Sequence, residues 1–238
     1  MGVDLVLSSG FLAFAAQAGF LAAVEDVGLS VDGVCGTSSG ALAGALWSAG
    51  MPAEELFHEL CHRRPLSWVR AHRRPWRGLF RLDPVLARLA RDLPADFDGL
   101  PHPFGAGVAR DGRAHLLTEG PLVEAVAASC AVPYLFTPVE VAGHTYVDGG
   151  AVDRTALSAW RARRPGRVVV MHLLDASHGA VGDDAGDAEV VVRSPRSGAK
   201  LWSLGDARGR FERARAAATD VLRAYVEAGH DGGGREQV

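Results

Sequence analysis

Gly36-Thr37-Ser38-Ser39-Gly40 is a GxSxG pentapeptide set between the apolar run Val31-Asp32-Gly33-Val34-Cys35 and the helix-forming stretch Ala41 to Trp47. In that setting the serine stands on a sharp strand-to-helix turn. Gly36 and Gly40 allow close backbone approach, and the helix start offers amide donors to a developing oxyanion. The plainer reading is a Gly-Ser turn that caps a helix. A hydroxyl becomes a useful nucleophile only when a base takes its proton. One arrangement would use Asp148 with His172 or His178, but it requires several strands ahead of the serine, and only two short ones fit before Ser38. The other uses a carboxylate directly. Tyr146-Val147-Asp148-Gly149-Gly150 follows Pro138 to Thr145, which alternates apolar and polar residues around Gly143, so Asp148 falls at a strand end. A bare Asp-Gly-Gly also marks tight turns, as Asp231-Gly232-Gly233 does in the tail.

The elements that must position these groups follow from periodicity. Val3 to Leu7 reads as a strand, Ser8-Ser9-Gly10 as a turn, and Leu12, Ala16, Phe20, Ala23, Val24 and Val27 recur at helical spacing until Gly28. The opposite side of that helix is also apolar, so other elements enclose it. Val168 to Leu174 is a buried strand, Glu189 to Arg193 an edge strand, and Leu204 to Ala228 a long helix. The β-α-β-α order implies parallel strands with right-handed crossovers. The expected fold class is α/β, a mixed, mostly parallel sheet flanked by helices on both faces. Seven prolines between Met51 and Pro103 break that stretch into short helices and loops, read as a capping insertion. The organisation expected is one domain over 1–230, with 51–103 as its cap and 231–238 as a disordered tail.

Composition narrows the class. A chain of 238 residues with 48% hydrophobic and 22% charged residues is long enough for a full core, which excludes wholesale disorder or a coiled coil. Cys35, Cys61 and Cys130 are odd in number and form no CxxC, so no disulfide framework or zinc site is expected. Residues 11–24 are apolar but too short for a membrane span, and no Lys or Arg precedes Arg63 as an export signal would need. Val6 stands where N-myristoylation after Met1-Gly2 expects Ser or Thr. A cytoplasmic location is the expectation.

Taken together, the motifs resemble the patatin-like phospholipase family. The matching stretches are Leu5 to Ser8 leading into Gln17 to Leu21, then Gly36 to Leu42, then Ala128 to Pro133 with Phe136, Pro138 and Val139, then Tyr146 to Gly150. They stand in family order over roughly residues 3 to 155. The resemblance implies a patatin-like sheet and a Ser–Asp dyad without histidine: Ser38 as nucleophile, Asp148 as general base, with Gly36, Gly40, Gly149 and Gly150 supporting the two turns. It implies hydrolysis of phospholipid or related lipid esters through an acyl-enzyme, with no metal and no cofactor. Such a base must be partly desolvated, because a free Asp titrates near ~3.9.

One stretch departs from the family. Its Gly-Gly-Gly-x-Arg-Gly oxyanion loop is replaced by Ser9-Gly10-Phe11-Leu12-Ala13-Phe14, which keeps only Gly10. If position 11 needs a positive φ, a Phe there costs about 1–3 kcal/mol. Either the amides of Gly10 and Phe11 still form the oxyanion hole, with Phe11 and Phe14 lining an acyl pocket, or the loop is distorted. In the second case the chain is a catalytically impaired relative that binds an anionic surface or a partner. The active reading is the expectation.

Arg63, Arg64, Arg70, Arg73, Arg74, Arg77 and Arg81 lie between His62 and Arg81 with no acid and with Trp68 and Trp76, giving +7 against −10 for the remainder. Arginine with interfacial tryptophan suits a peripheral contact with anionic lipid headgroups; an ordinary solvated face is the plain alternative, and single-stranded nucleic acid is not expected. His58 and His62 are i, i+4 neighbours but lack a third ligand, and His144 and His172 are read as structural under a Ser–Asp scheme.

Overall fold

The computed structural model describes residues 2–175 and 188–230; the expected tail at 231–238 and the alternative base His178 lie outside the described residues. In chain order the elements are β1 (Val3–Leu7), α1 (Phe14–Asp26), β2 (Val31–Thr37), α2 (Ser39–Ser48) and α3 (Ala53–Cys61). There follow β3 (Arg70–Ala71), β4 (Phe80–Arg81), α4 (Asp83–Asp92), β5 (Phe104–Arg110), β6 (Arg113–Leu117) and α5 (Leu122–Ser129). The rest comprises β7 (Val139–Val141), β8 (His144–Asp148), α6 (Leu157–Arg163), β9 (Val169–Leu174), β10 (Val190–Ser194) and α7 (Ala207–Tyr225).

The main sheet runs β10-β9-β1-β2-β5-β8-β7, with β6 paired to β5. From β10 to β5 every pairing is parallel, whereas β6, β8 and β7 join antiparallel. This is the mixed, mostly parallel α/β sheet that the strand-helix alternation implies. Side chains alternate across it as a pleated strand requires. Leu5 and Leu7 enter a large core with α1, α2, α5 and α7, while Val6 and Cys35 pack with Met171 against Leu157 and Trp160 of α6. Helices therefore cover both faces.

α1 is buried from Ala15 through Val24, as its all-round apolar composition requires. Gly19 lets the α7 backbone come so close that a Cβ there would collide with the Phe211 carbonyl. The α7 stripe Phe211, Ala214, Ala218 and Leu222 closes this layer. The proline-rich stretch contains α3, α4 and the small β3–β4 hairpin, whose Leu79 and Phe80 amides donate to the carbonyls of Tyr134 and Leu135.

Candidate active site

β2 runs two residues past the expected Cys35 and ends at Thr37, so Ser38 is the single residue between strand and helix. Its φ of 55° and ψ of −120° are unusual for a residue with a Cβ, the strain expected of a nucleophile elbow. The turn closes because the flanking glycines touch backbone. A Cβ on Gly36 would lie 2.5 Å from Gly40, and one on Gly40 would collide with the Leu7 carbonyl of β1. Ser129 holds the elbow from the next layer: its Oγ accepts from the Ser38 amide at 2.9 Å and donates to the Gly107 carbonyl at 2.6 Å.

Strand register brings the second motif alongside. Thr37 pairs with Gly107 of β5, and the next β5 residue, Val108, pairs with Asp148 of β8. Ser38 and Asp148, 110 positions apart in the chain, thus reach the same level on either side of β5. The Gly150 amide donates to the Asp148 Oδ1 at 2.7 Å, and the Ser38 hydroxyl is close enough to pull the carboxyl's pKa down. Gly149 packs against the Gly107 carbonyl, where a Cβ would come within 2.6 Å. Burial pushes the Asp148 carboxyl up to about 6, against the opposing pull of those two groups. A carboxylate with that pKa is mostly ionised at neutral pH and far more basic than a free Asp.

The loop after β1 lies beside this pair. Positive φ falls on Leu12, at 50°, and not on Phe11, so the strain expected at the Phe is carried one residue later. The Gly10 carbonyl accepts from the Ala13 amide, which closes the turn, while the amides of Gly10 and Phe11 donate to no protein group among the described residues. Gly10 and Phe11 line an open cleft of about 610 Å³ together with Ser38 and Asp148. A narrower apolar cavity of about 90 Å³ shares Phe11, Ser38 and Val132 with this cleft. It is walled by Phe11, Phe14, Leu60, Trp68, Val85 and Phe136, so the two phenylalanines of the altered loop do line an apolar pocket.

A family model for patatin-like phospholipases matches residues 5–159, which contain both motifs and the strands that align them. The chain belongs to the patatin-like phospholipase family. Uncharacterized NTE family proteins of Mycobacterium tuberculosis and Mycobacterium bovis are each 28% identical to it over 220 residues, covering 89% of this chain and 60% of theirs. The chain thus spans about 60% of the length of these curated relatives. Among solved structures, VipD from Legionella pneumophila superposes with a TM-score of 0.57 at 12% identity, covering 95% of this chain and 67% of that one. ExoU of Pseudomonas aeruginosa, solved with SpcU, gives 0.52 at 15% identity, covering 94% and 52%. These two likenesses support the patatin-like fold.

The remaining candidates of this patatin-like chain lie apart from Ser38 and Asp148. His172 is fully buried and stacked on Phe20, with Nδ1 2.8 Å from Gln17 Oε1 and Nε2 2.9 Å from Ser194 Oγ; burial drives its pKa down to about 3. Both ring nitrogens are engaged in a structural network, and Gln17 passes it on to the Ser8 carbonyl at 2.8 Å. His144 is on the β7–β8 hairpin with its ring edge-on to Tyr146. His62 Nδ1 lies 2.6 Å from the His58 carbonyl. Among the described residues no group of three or more His, Cys, Asp and Glu is arranged to hold a metal ion. Burial raises the thiols of Cys35 and Cys130, and that of Cys61 to about 12.

Arg63, Arg64, Arg70, Arg73, Arg74 and Arg77 are all exposed, and among the described residues none of them forms an ion pair; Arg81 pairs with Asp83 at 2.8 Å. No helix of the described residues is long and apolar enough to cross a membrane.

Sequence reasoning passed over three contributors. Ser129 lies inside a stretch that carries the resemblance, but only the fold shows it gripping the elbow. Gly107 had no signal beyond a Gly-Ala run. Arg154 is buried, and its Nη2 donates to the carbonyls of Ser9 (2.9 Å) and Leu174, tying the loop after β1 to the end of β9.

Proposed function

We propose that the chain is a serine acyl hydrolase in which Ser38 is the nucleophile and Asp148 the general base, cleaving carboxylic esters of phospholipids or related lipids. The observation that carries this reading is the placement of the strained Ser38 and the buried Asp148 by strand register on one cleft, where the Ser38 hydroxyl lowers the carboxyl's pKa with no imidazole between them. In acylation the Ser38 oxygen bonds to the ester carbon while its proton passes to Asp148. The bond to the leaving alcohol then breaks, and that oxygen takes the proton from Asp148. In deacylation water yields a proton to Asp148 as its oxygen attacks the acyl carbon, and the Ser38 oxygen leaves with that proton. The free amides of Gly10 and Phe11, with the first turn of α2, are the donors assigned to the oxyanion in both halves. Gly36, Gly40, Gly149 and Gly150 keep the two turns close. Neither half of this cycle calls for a metal or a cofactor.

The apolar cavity takes the acyl chain, and residues 51–103 act as its cap, since Leu60, Pro65, Trp68, Val69, Leu82 and Val85 form one wall. The same cap presents the six arginines from Arg63 to Arg77, which form no ion pair among the described residues. Phe11, Leu66, Trp76, Leu79, Tyr134 and Trp202, all exposed, belong to the segments that wall this cavity or join it through the Leu66–Leu201 and Leu79–Tyr134 backbone hydrogen bonds. This face suits a cytoplasmic enzyme that meets an anionic membrane peripherally and draws a lipid ester into the cavity.

Labelling of the purified chain with a fluorophosphonate tests the reading. Wild type is expected to label, Ser38→Ala not at all, and Asp148→Asn at least ~10²-fold more slowly. An unlabelled wild type, or label that survives Ser38→Ala, removes the enzyme and leaves the surface-binding relative in its place.

A further inference from the structure

The two cavities meet at Ser38 but do not share Asp148. Asp148 lines the open cleft and is absent from the walls of the apolar cavity, whereas Ser38 and Phe11 line both. In the proposed cycle, the proton taken from Ser38 must be returned by Asp148 to the leaving oxygen. The leaving alcohol therefore has to stand beside Asp148, in the cleft, with the acyl chain in the apolar cavity. What lines the cleft then selects the alcohol.

Its charged lining, apart from Asp148, is Arg154, Arg196 and Lys200 against Asp175. Arg154 is 4% exposed, yet its hydrogen bonds go to two carbonyls through Nη2 alone. Among the described residues its Nε and Nη1 donate to no protein group, and Asp175 reaches it only through space. A buried guanidinium without a hydrogen-bonded carboxylate keeps donor capacity on a side chain that lines the cleft. Arg196 and Lys200 stand exposed on a segment that also lines the cleft, without an ion pair among the described residues; the Lys200 ammonium lies 5.7 Å from the centre of the Trp202 ring. That segment is fixed to the loop after β1 by the Ser197 Oγ, which donates to the Phe11 carbonyl at 2.5 Å.

We propose that this cleft is a leaving-group subsite that reads a phosphate-bearing alcohol through Arg154, Arg196 and Lys200, making glycerophosphate-type esters the preferred substrates over neutral glycerides. The proposal rests on the Ser38–Asp148 reading for the orientation of the substrate, while the anion site itself can be measured without turnover. Three cations around one cleft suit the several oxygens of a phosphate better than the single hydroxyl of a neutral glyceride.

The first measurement is calorimetric titration of the full chain carrying Ser38→Ala with glycerol 3-phosphate, glycerol and inorganic phosphate. Glycerol 3-phosphate is expected to bind more tightly than either of the others. The pair Arg196→Ala/Lys200→Ala, both exposed and remote from the core, should weaken it about tenfold or more, and Arg196→Lys/Lys200→Arg should restore it. Glycerol 3-phosphate no tighter than glycerol, or indifferent to the alanine pair, overturns the subsite. Inorganic phosphate binding as tightly as the ester overturns its assignment to a leaving alcohol. The second measurement compares wild-type kcat/KM for a 1-acylglycerol 3-phosphate with that for the 1-monoacylglycerol of the same chain length. The ratio should favour the phosphate ester and fall about tenfold in the alanine pair. An unchanged ratio overturns the specificity. A wild type that binds glycerol 3-phosphate but hydrolyses neither ester defeats the serine hydrolase reading instead.

Discussion

At the scale of single residues the decisive quantity is the protonation of Asp148. Its carboxyl must be ionised to accept the Ser38 proton, and burial places that ionisation at about pH 6. Under the proposed scheme kcat/KM therefore rises with pH through about 6 and levels off above it, with no second limb from histidine, because His172 stays neutral. A stopped assay of a soluble ester between pH 4.5 and 8 checks this; a profile controlled by a group near 7 that survives substitution of Asp148 would contradict it. The same shift acts on stability with the opposite sign. The unfolded chain releases this proton near 3.8 and the folded chain only near 6, so stability falls as pH rises between those values. The ionised carboxylate then costs about 3 kcal/mol at neutral pH. Asp148→Asn should become progressively more stable than wild type from pH 4 to pH 7, measured by urea denaturation, while losing activity. Under the proposed scheme the buried base is held at the expense of fold stability.

At the scale of elements, β1 and α6 are joined by a charge that has nothing to do with the site. Asp4 is fully buried and accepts from Trp160 Nε1 at 2.9 Å and from Arg164 Nε and Nη2 at 2.6 and 2.9 Å. Removing one member leaves the other desolvated without its partner. Asp4→Ala is expected to cost about 3–5 kcal/mol in chemical denaturation, far more than loss of the exposed Arg213–Asp206 pair, which lies at 3.3 Å. The element hardest to foresee is β5. Phe104-Gly105-Ala106-Gly107 has no alternation and little β propensity, yet it is buried between β2 and β8. Its glycines are explained by neighbours distant in the chain: a Cβ on Gly105 would meet Leu116 and Trp160, and one on Gly107 would collide with Thr37 Oγ1. Local pattern carries no trace of such demands. The strands at Val3 and Val169 were legible as short, nearly continuous apolar runs, and α7 because its apolar residues repeat at the helical period.

At the scale of the whole molecule, charge and apolar exposure coincide on the cap. Trp76 on the cap and Tyr134 and Trp202 on the segments joined to it are 79%, 90% and 61% exposed, and among the described residues the cap arginines other than Arg81 and Arg88 form no ion pair. The chain as a whole is nonetheless −3, so binding to an anionic surface depends on this asymmetry and not on net charge. Sedimentation with vesicles rich in phosphatidylserine is expected to capture the chain, and phosphatidylcholine vesicles to capture it poorly. Trp76→Ala/Trp202→Ala should weaken capture about tenfold or more, and raised salt should weaken the anionic preference. Equal capture by both vesicle types would make the arginines a plain solvated face.

The two turns that hold Ser38 and Asp148 were legible from the chain alone because the constraints on them are local: a strand that must turn sharply into a helix between Gly36 and Gly40, and a carboxylate at a strand end before two small residues. The overall α/β order was legible for the same reason, since periodicity is written within each element. The meeting of the two motifs was settled by strand register, Thr37 opposite Gly107 and Val108 opposite Asp148. Register depends on pairing between segments far apart in sequence, which no local pattern records. The raised carboxyl of Asp148, the donor capacity that Arg154 keeps beside the cleft and the partition of two cavities around Ser38 likewise arise from neighbours that only folding brings within reach.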